Sequence, residues 1–271
     1  MRILFIGDVM GRSGREAVEK HLPALKQKLR PDVTIVNAEN AAHGKGITDK
    51  ICKDLYKLGV DCITTGNHVW DQNEIILYID SDPKLLRPDN FPKGTPGRGI
   101  YLHQLPDGRK ILIANYMGRL FMETLDDPFA AAQELLKRHK LGNTVNAIFI
   151  DFHAEASSEK MAFGHMLDGQ VSAIVGTHTH VPTADAQLFP GRTAFQGDAG
   201  MTGDYDSVIG VRKDIPVARF TRKMPTERMT PADGEGTLCG TFVETDDNSG
   251  LARNISPVVM GPRLRNVLPD F

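Results

Sequence analysis

Short apolar runs alternate with helical segments through the first two thirds of the chain. Residues 3–6 form an apolar run that ends at Gly7 and Asp8, which is typical of a buried strand entering a loop. Residues 14–29 then repeat apolar positions at helical spacing until Pro31. The pattern therefore predicts a series of β-α units. Its further strands are expected at 33–36, 62–64, 111–114, 145–152 and 171–175, and its further helices at 51–58 and 129–139.

The helical period fades beyond residue 183, where short strands are predicted at 184–189, 217–220, 237–243 and 254–259. Residues 83–99 contain four of the 16 prolines and are predicted to form a long loop. Because no repeat or compositional boundary interrupts the chain, we expect residues 1–271 to form one α/β domain with a β-rich end.

Polar residues follow five of the predicted strands at their carboxyl ends, where open α/β sheets bind ligands. They offer carboxylate, amide and imidazole groups without a thiolate, a set that suits Fe, Mn or Zn. Two carboxylates with several neutral groups are about right for a pair of ions roughly 3.5–4 Å apart. The candidate residues are, in chain order, Asp8, Glu39, Asn40, Asn67, His68, His153, His178 and His180.

Each of these motifs is weak evidence by itself. With nine histidines in the chain, chance gives roughly 0.3 His-x-His pairs. Asp8 could be a turn or cap residue, Asn67 a left-handed turn residue, and His153 a core histidine. The metal hypothesis therefore depends on the whole set following strands at one edge of the sheet.

Composition narrows the function classes. The net charge of -2 argues against a broad basic surface for duplex nucleic acid. No apolar segment approaches the ~18 residues of a membrane helix, and no targeting segment is evident, so we expect a cytoplasmic protein. Cys52, Cys62 and Cys239 form no CxxC pair and are expected to be buried free thiols of a reducing compartment.

Several segments together resemble the calcineurin-like metallophosphoesterase superfamily, and more specifically its YmdB-like branch. The superfamily blocks are matched by Gly7-Asp8, Gly66-Asn67-His68 and Gly176-Thr177-His178-Thr179-His180. The branch is matched by residues 38–46, 150–155 and 200–203. The resemblance implies a two-sheet β-sandwich flanked by helices, in four αββα layers. Members of the branch hydrolyse cyclic nucleotides.

The chain departs from the general superfamily at two ligands, and the branch departs in the same way. The usual D-x-H block is Asp8-Val9-Met10 here, and a Met thioether is a poor ligand for a hard ion. Glu39 stands where the superfamily has a bridging Asp. The resemblance implies Asp8, Glu39, Asn40 and His180 on one metal. It implies Glu39, Asn67, His153 and His178 on the other, with iron favoured and Mn or Zn as alternatives.

The resemblance implies a phosphodiesterase in which two ions bind the phosphoryl oxygens and lower the pKa of a bridging water. His68 is the predicted general acid for the leaving ribose oxygen, with a purely structural role as the alternative. A 2′,3′-cyclic nucleotide or another RNA-derived phosphodiester is the expected substrate, and a 3′,5′-cyclic nucleotide is the second option.

Several points stay open at the level of sequence. A phosphomonoesterase or a small nuclease could use the same metals. A regulatory nucleotide-binding module with weak hydrolysis is a third interpretation, and a homo-oligomer is compatible with the sequence. Residues that could line the substrate side, or simply occupy surface loops, are His43, Lys45, Thr179, Asp204 and Tyr205.

Overall fold

The computed structural model describes residues 1–270 and contains two β-sheets, each covered by helices on its outer face. The first sheet has the strand order β11-β10-β1-β2-β3. It consists of β1 (Arg2–Ile6), β2 (Val33–Asn37), β3 (Cys62–Thr64), β10 (Leu238–Thr245) and β11 (Ala252–Met260).

The second sheet has the strand order β4-β5-β6-β7-β9-β8. It consists of β4 (Ile100–Gln104), β5 (Lys110–Met117), β6 (Ala147–His153), β7 (Ala173–Thr177), β8 (Gln187–Leu188) and β9 (Ala194–Gln196). The helices are α1 (Gly11–Leu29), α2 (Asp49–Lys57), α3 (Ile75–Tyr78) with a 3-10 turn at Ile79–Ser81, α4 (Pro128–Arg138), α5 (Ser157–Met166) and α6 (Asp214–Arg222).

Alternation along β1 shows how the layers are held together. Ile3 and Phe5 point into the core between the two sheets, where Phe5 packs on Phe149 of β6 with ring centroids 5.1 Å apart. Leu4 and Ile6 point the other way, into the core beneath α1 and α2. A third core joins the second sheet to α4 and α5. Three cores between four layers confirm the predicted two-sheet sandwich flanked by helices.

Parallel pairing places the strand ends that carry the candidate residues at one edge. In the first sheet β1, β2 and β3 are mutually parallel. In the second sheet the same holds for β5, β6, β7 and β9. The segments that follow β1, β2, β3, β6 and β7 therefore meet where the two sheets are packed together.

The strand predicted at 217–220 is wrong, because these residues lie within α6. Ile215 and Pro216 are buried, whereas Val217 and Phe220 are 52% and 77% exposed. Four residues rich in apolar side chains do not distinguish a strand from a helix. Pro216 occupies the first helical turn, where proline is tolerated.

One predicted strand is much shorter than expected, because only the two residues of β8 form a strand within 184–189. The apolar pattern also does not predict α5, β4 or β9. Helix α5 has a weak apolar period because Lys160 and Gly164 share its buried face with Phe163. The remaining predicted strands and helices are confirmed, with bounds that differ by a few residues.

The cysteines are free and buried, as predicted. Among residues 1–270, every helix is too short or too polar to cross a bilayer.

We expect Phe163→Ala to lower the free energy of unfolding by about 3–5 kcal/mol, because it empties a buried aromatic cluster. The Phe163 ring stacks on Phe152 at 4.1 Å and meets Phe129 edge-on at 5.4 Å. Phe220→Ala is the matched control, and its effect should stay within about 0.5 kcal/mol because that ring is exposed. Urea denaturation followed by circular dichroism measures both, and equal losses would contradict this account of the core and of α6.

Candidate metal centre

The candidate residues from the strand ends lie together at the carboxyl edge of the two sheets. Asp8, Glu39 and His153 are at most 1% exposed. His178 and His68 are partly exposed, with 22% and 25% of their side chains accessible. The edge is therefore a buried polar site with one open side. We describe it as two clusters that share Glu39.

The His153 cluster consists of Glu39, Asn67, His153 and His178. Nε2 of His153 lies 2.9 Å from Asn67 Oδ1, 3.1 Å from His178 Nδ1 and 3.3 Å from Glu39 Oε1. Candidate ligand atoms of Glu39, His153 and His178 all lie within 4.8 Å of one another. Asn67 has no positive φ, so it is not the left-handed turn residue that was the alternative.

The His180 cluster consists of Asp8, Glu39, Asn40 and His180. Ligand atoms of Asp8, Glu39 and His180 also lie within 4.8 Å of one another. Nδ2 of Asn40 is 2.9 Å from Glu39 Oε1 and 3.1 Å from His180 Nε2. Since the nitrogen faces the cluster, ligation by Asn40 requires a half-turn of its amide group.

Two observations test whether these residues fit metal ions. Asp8 Oδ1 is buried without a hydrogen-bond partner among residues 1–270, although buried polar atoms are nearly always paired. A proton on His153 Nε2 could serve only one of its three polar neighbours, whereas a cation would serve all of them. The donor set is nitrogen and oxygen, as divalent Fe, Mn or Zn prefer. The residues therefore fit two such ions.

The outer partners of two histidines decide which ring nitrogen faces the site. Nδ1 of His180 lies 2.8 Å from the carbonyl oxygen of Ile209, which can only accept, so Nδ1 carries the proton. Nε2 of His178 lies 3.1 Å from the Glu155 carboxylate, and its Nδ1 lies towards the site, 3.1 Å from His153 Nε2. His180 Nε2 is left unprotonated towards the site, as metal ligation requires.

The buried ionisable groups of the site shift one another's pKa values. Burial raises the pKa of Asp8 to about 7. Burial and the neighbouring charge of His153 lower the pKa of His178 to about 3. Burial disfavours a charged His153, but Glu39 and Asp8 outweigh it and raise the pKa of His153 to about 9. Burial also disfavours a charged Glu39, yet His153 holds the pKa of that carboxyl well below its usual range. The charge of a protonated His153 thus compensates the neighbouring carboxylates.

The loop that carries two of the histidines is strained and tightly held. His178 and His180 have φ of 97° and 67°, in the left-handed region that non-glycine residues rarely occupy. Between them, Thr179 donates its backbone N–H and its hydroxyl to Asp198 Oδ2 at 3.0 and 2.8 Å. Lys160 Nζ pairs with the same oxygen at 2.8 Å, and both partners are buried. This buried ion pair therefore anchors the strained loop.

The sequence pattern does not identify Lys160 or Asp198 as residues of the site. Asp198 follows β9, which is parallel to β7, so the rule used for the other strand ends could have identified it. Lys160 had no such signal, because it lies within the helix α5 that was not predicted.

His68 lies beside the clusters. Its backbone N–H donates to Glu39 Oε2 at 3.2 Å, and its Nδ1 is 3.0 Å from Asp71 Oδ2. Among residues 1–270, its Nε2 makes no hydrogen bond, so this nitrogen is the one available to a substrate.

The other candidates for the substrate side divide into two groups. Asp204 and Tyr205 are engaged with the protein itself. Asp204 accepts backbone N–H groups of residues 206 and 234, and the Tyr205 hydroxyl bonds the backbone of Met201. His43 and Lys45 are exposed in the loop after β2.

The comparisons with known proteins agree over nearly the whole chain. The YmdB-like protein family matches residues 4–258. A protein of Bacillus subtilis (strain 168) named 2′,3′-cyclic-nucleotide 2′-phosphodiesterase is 48% identical over 260 residues, which are 96% of this chain and 97% of the relative.

Two crystal structures share the fold. A hypothetical protein from Thermus thermophilus has a TM-score of 0.90 at 42% identity, over 97% of this chain and 100% of that one. A structure described as a novel phosphatase from Mycoplasma pneumoniae has a TM-score of 0.89 at 33% identity, over 96% and 93%. The chain therefore belongs to the YmdB-like protein family.

Proposed function

We propose that this protein is a dinuclear metal-dependent phosphodiesterase that hydrolyses 2′,3′-cyclic nucleotides. The observation that carries the proposal is the pair of buried donor clusters sharing Glu39. The name of the B. subtilis relative, with 48% identity over 96% of this chain, supports the substrate class.

The ligands are assigned by cluster. Asp8, Glu39, Asn40 and His180 would hold one ion, and the His153 cluster would hold the other. The nitrogen and oxygen donors suit Fe, Mn or Zn, and the resemblance to the YmdB-like branch favours iron. When bound, the two ions would neutralise charge on the phosphoryl group and lower the pKa of a water molecule.

The chain's own residues would supply the remaining chemistry. His68 would hold a proton at Nε2 for the ribose oxygen that leaves phosphorus, because a poor leaving group needs protonation. Asp71 orients the ring through Nδ1 at 3.0 Å. The relative is named as a 2′-phosphodiesterase, so cleavage at O2′ with a nucleoside 3′-phosphate as product is expected.

A phosphomonoesterase is the second candidate, favoured by the description of the M. pneumoniae structure as a phosphatase. The same ligands would serve it. A nuclease acting on long RNA is less well supported, because the net charge is -2.

We also propose that the chain works as one domain in the cytoplasm. Each donor cluster combines residues from segments that follow strands of both sheets, so neither sheet forms a cluster alone. Three buried free cysteines are consistent with a reducing compartment.

Substrate panels would separate the candidate activities. Metal-loaded protein is incubated with 2′,3′-cyclic AMP, 3′,5′-cyclic AMP, adenosine 3′-phosphate and a single-stranded RNA, and products are resolved by chromatography. Rapid conversion of 2′,3′-cyclic AMP to the 3′-phosphate is expected. Release of inorganic phosphate from adenosine 3′-phosphate would favour the monoesterase. Hydrolysis of none of them would overturn the proposal in favour of a binding module.

Removing one histidine from each cluster should remove one ion. His178→Ala and His180→Ala are each expected to lower the metal content from two ions towards one per chain, since each takes a ligand from a different cluster. Elemental analysis of the purified variants measures this. His139→Ala, at the distant end of α4, is the matched control and should keep both ions. Two ions retained in either cluster variant would refute the ligand assignment.

His68→Ala should separate chemistry from metal binding. The variant is expected to keep both ions and to lose about 10²–10⁴-fold in kcat on 2′,3′-cyclic AMP, because general acid catalysis is lost. The loss should be smaller for bis-p-nitrophenyl phosphate, whose leaving group needs no proton. Steady-state kinetics on both substrates provide the test. An unchanged kcat on the cyclic nucleotide would remove His68 from the proposed mechanism.

A further inference from the structure

His153 differs from the other two histidines of the site in how its outer nitrogen is held. His178 and His180 contact a carboxylate and a carbonyl directly. Nδ1 of His153 instead lies 2.8 Å from the hydroxyl of Thr177. That hydroxyl lies 2.7 Å from Asp151 Oδ1, so a side chain intervenes between this histidine and its carboxylate.

The direction of the protons follows from the chemistry of the groups. The Asp151 carboxylate can only accept, so the single hydroxyl proton of Thr177 is donated to it. The Thr177 oxygen must then accept from His153, which places a proton on Nδ1. When the ring is neutral, as metal ligation requires, Nε2 keeps the free lone pair, and it is the atom that faces Asn67, His178 and Glu39.

Asp151 is itself fixed from both sheets. Besides Thr177, it accepts hydrogen bonds from Asn37 Nδ2 at 2.8 Å and from the hydroxyl of Thr64. Asn37 and Thr64 end β2 and β3 of the first sheet, whereas Asp151 and Thr177 lie on β6 and β7 of the second. All four residues are fully buried. The carboxylate therefore cannot turn away from Thr177 without leaving buried donors unpaired, which is costly.

We infer that Thr177 and Asp151 are positioning residues, which fix the ring of His153 so that Nε2 is the atom offered to a metal ion. The inference rests on the proposed metal centre and deepens it. Partners of this kind orient a ligating histidine and fix its tautomer, and their loss typically weakens metal binding by about 10- to 100-fold. A hydroxyl that merely filled space would have no such effect.

A threonine-to-valine exchange tests the relay, because it removes the hydroxyl and keeps the shape. Thr177→Val, Thr177→Ser and the wild type are titrated with Mn²⁺, and the free ion is followed by electron paramagnetic resonance. Thr34→Val is the matched control, since Thr34 is a buried strand threonine whose hydroxyl has no partner among residues 1–270. Thermal unfolding in the presence of a chelator reports whether each variant is folded.

The wild type is expected to bind two Mn²⁺ ions. In Thr177→Val one of the two sites should weaken by about 10- to 100-fold. Thr177→Ser, which restores the hydroxyl, should recover the wild-type affinity, and Thr34→Val should not change it. Two unchanged sites in a folded Thr177→Val protein would overturn the relay alone. A wild type that binds no Mn²⁺ would overturn the proposed metal centre together with it.

A second measurement, made on the wild-type protein, determines which ring nitrogen of His153 carries the proton. In wild-type protein labelled with ¹⁵N-histidine and loaded with Zn²⁺, the relay requires His153 to carry its proton on Nδ1. Nitrogen shifts that distinguish the two ring nitrogens report this directly. A proton on Nε2, with Nδ1 bare, would refute the inference.

Discussion

The Glu39 carboxylate is almost completely buried, and the architecture around it depends on how that charge is satisfied. An ionised carboxylate without partners in the interior is very costly. Its partners are the backbone N–H of His68, the amide of Asn40 and the ring of His153. Asn40 and His68 follow β2 and β3 of the first sheet, whereas His153 ends β6 of the second, so the two sheets must pack in one relative position for the charge to be compensated. The packing of the two sheets and the compensation of the Glu39 charge therefore depend on each other.

The donor atoms of the site are held by polar groups that lie deeper in the protein. Asp198 fixes the loop of His178 and His180 through the intervening residue, and Lys160 neutralises that carboxylate. Removing one partner of a buried pair leaves an uncompensated charge at a cost of about 3–5 kcal/mol. Such pairs explain how two histidines persist at positive φ, because their surroundings determine the backbone more strongly than local preference does.

Most strands and most candidate side chains of the site can be predicted from the sequence, because each depends on a short local pattern. Asp8 and the other candidate polar residues each follow an apolar run. The features that the sequence does not predict depend on tertiary packing. Residues 217–220 are apolar enough for a strand but belong to a helix that buries Ile215 and Pro216. Asp151 lies in a strand that is buried on both faces, where alternation does not reveal the direction of a side chain.

The structure explains why glycine is needed at Gly66 and Gly176, in two of the segments that resemble the superfamily. A Cβ at Gly66 would lie 2.3 Å from His153 Nε2 and 2.4 Å from Glu39 Oε2. Since Gly66 does not have a positive φ, it is required by space and not by a turn. At Gly176 a Cβ would lie 1.8 Å from the carbonyl oxygen of Gly197, so β7 and the segment before Asp198 can approach closely. Glycine at these two positions thus allows the surrounding groups to approach one another closely. A single sequence displays these glycines, and the structure shows that a methyl group at Gly66 would occupy space that the His153 and Glu39 side chains fill.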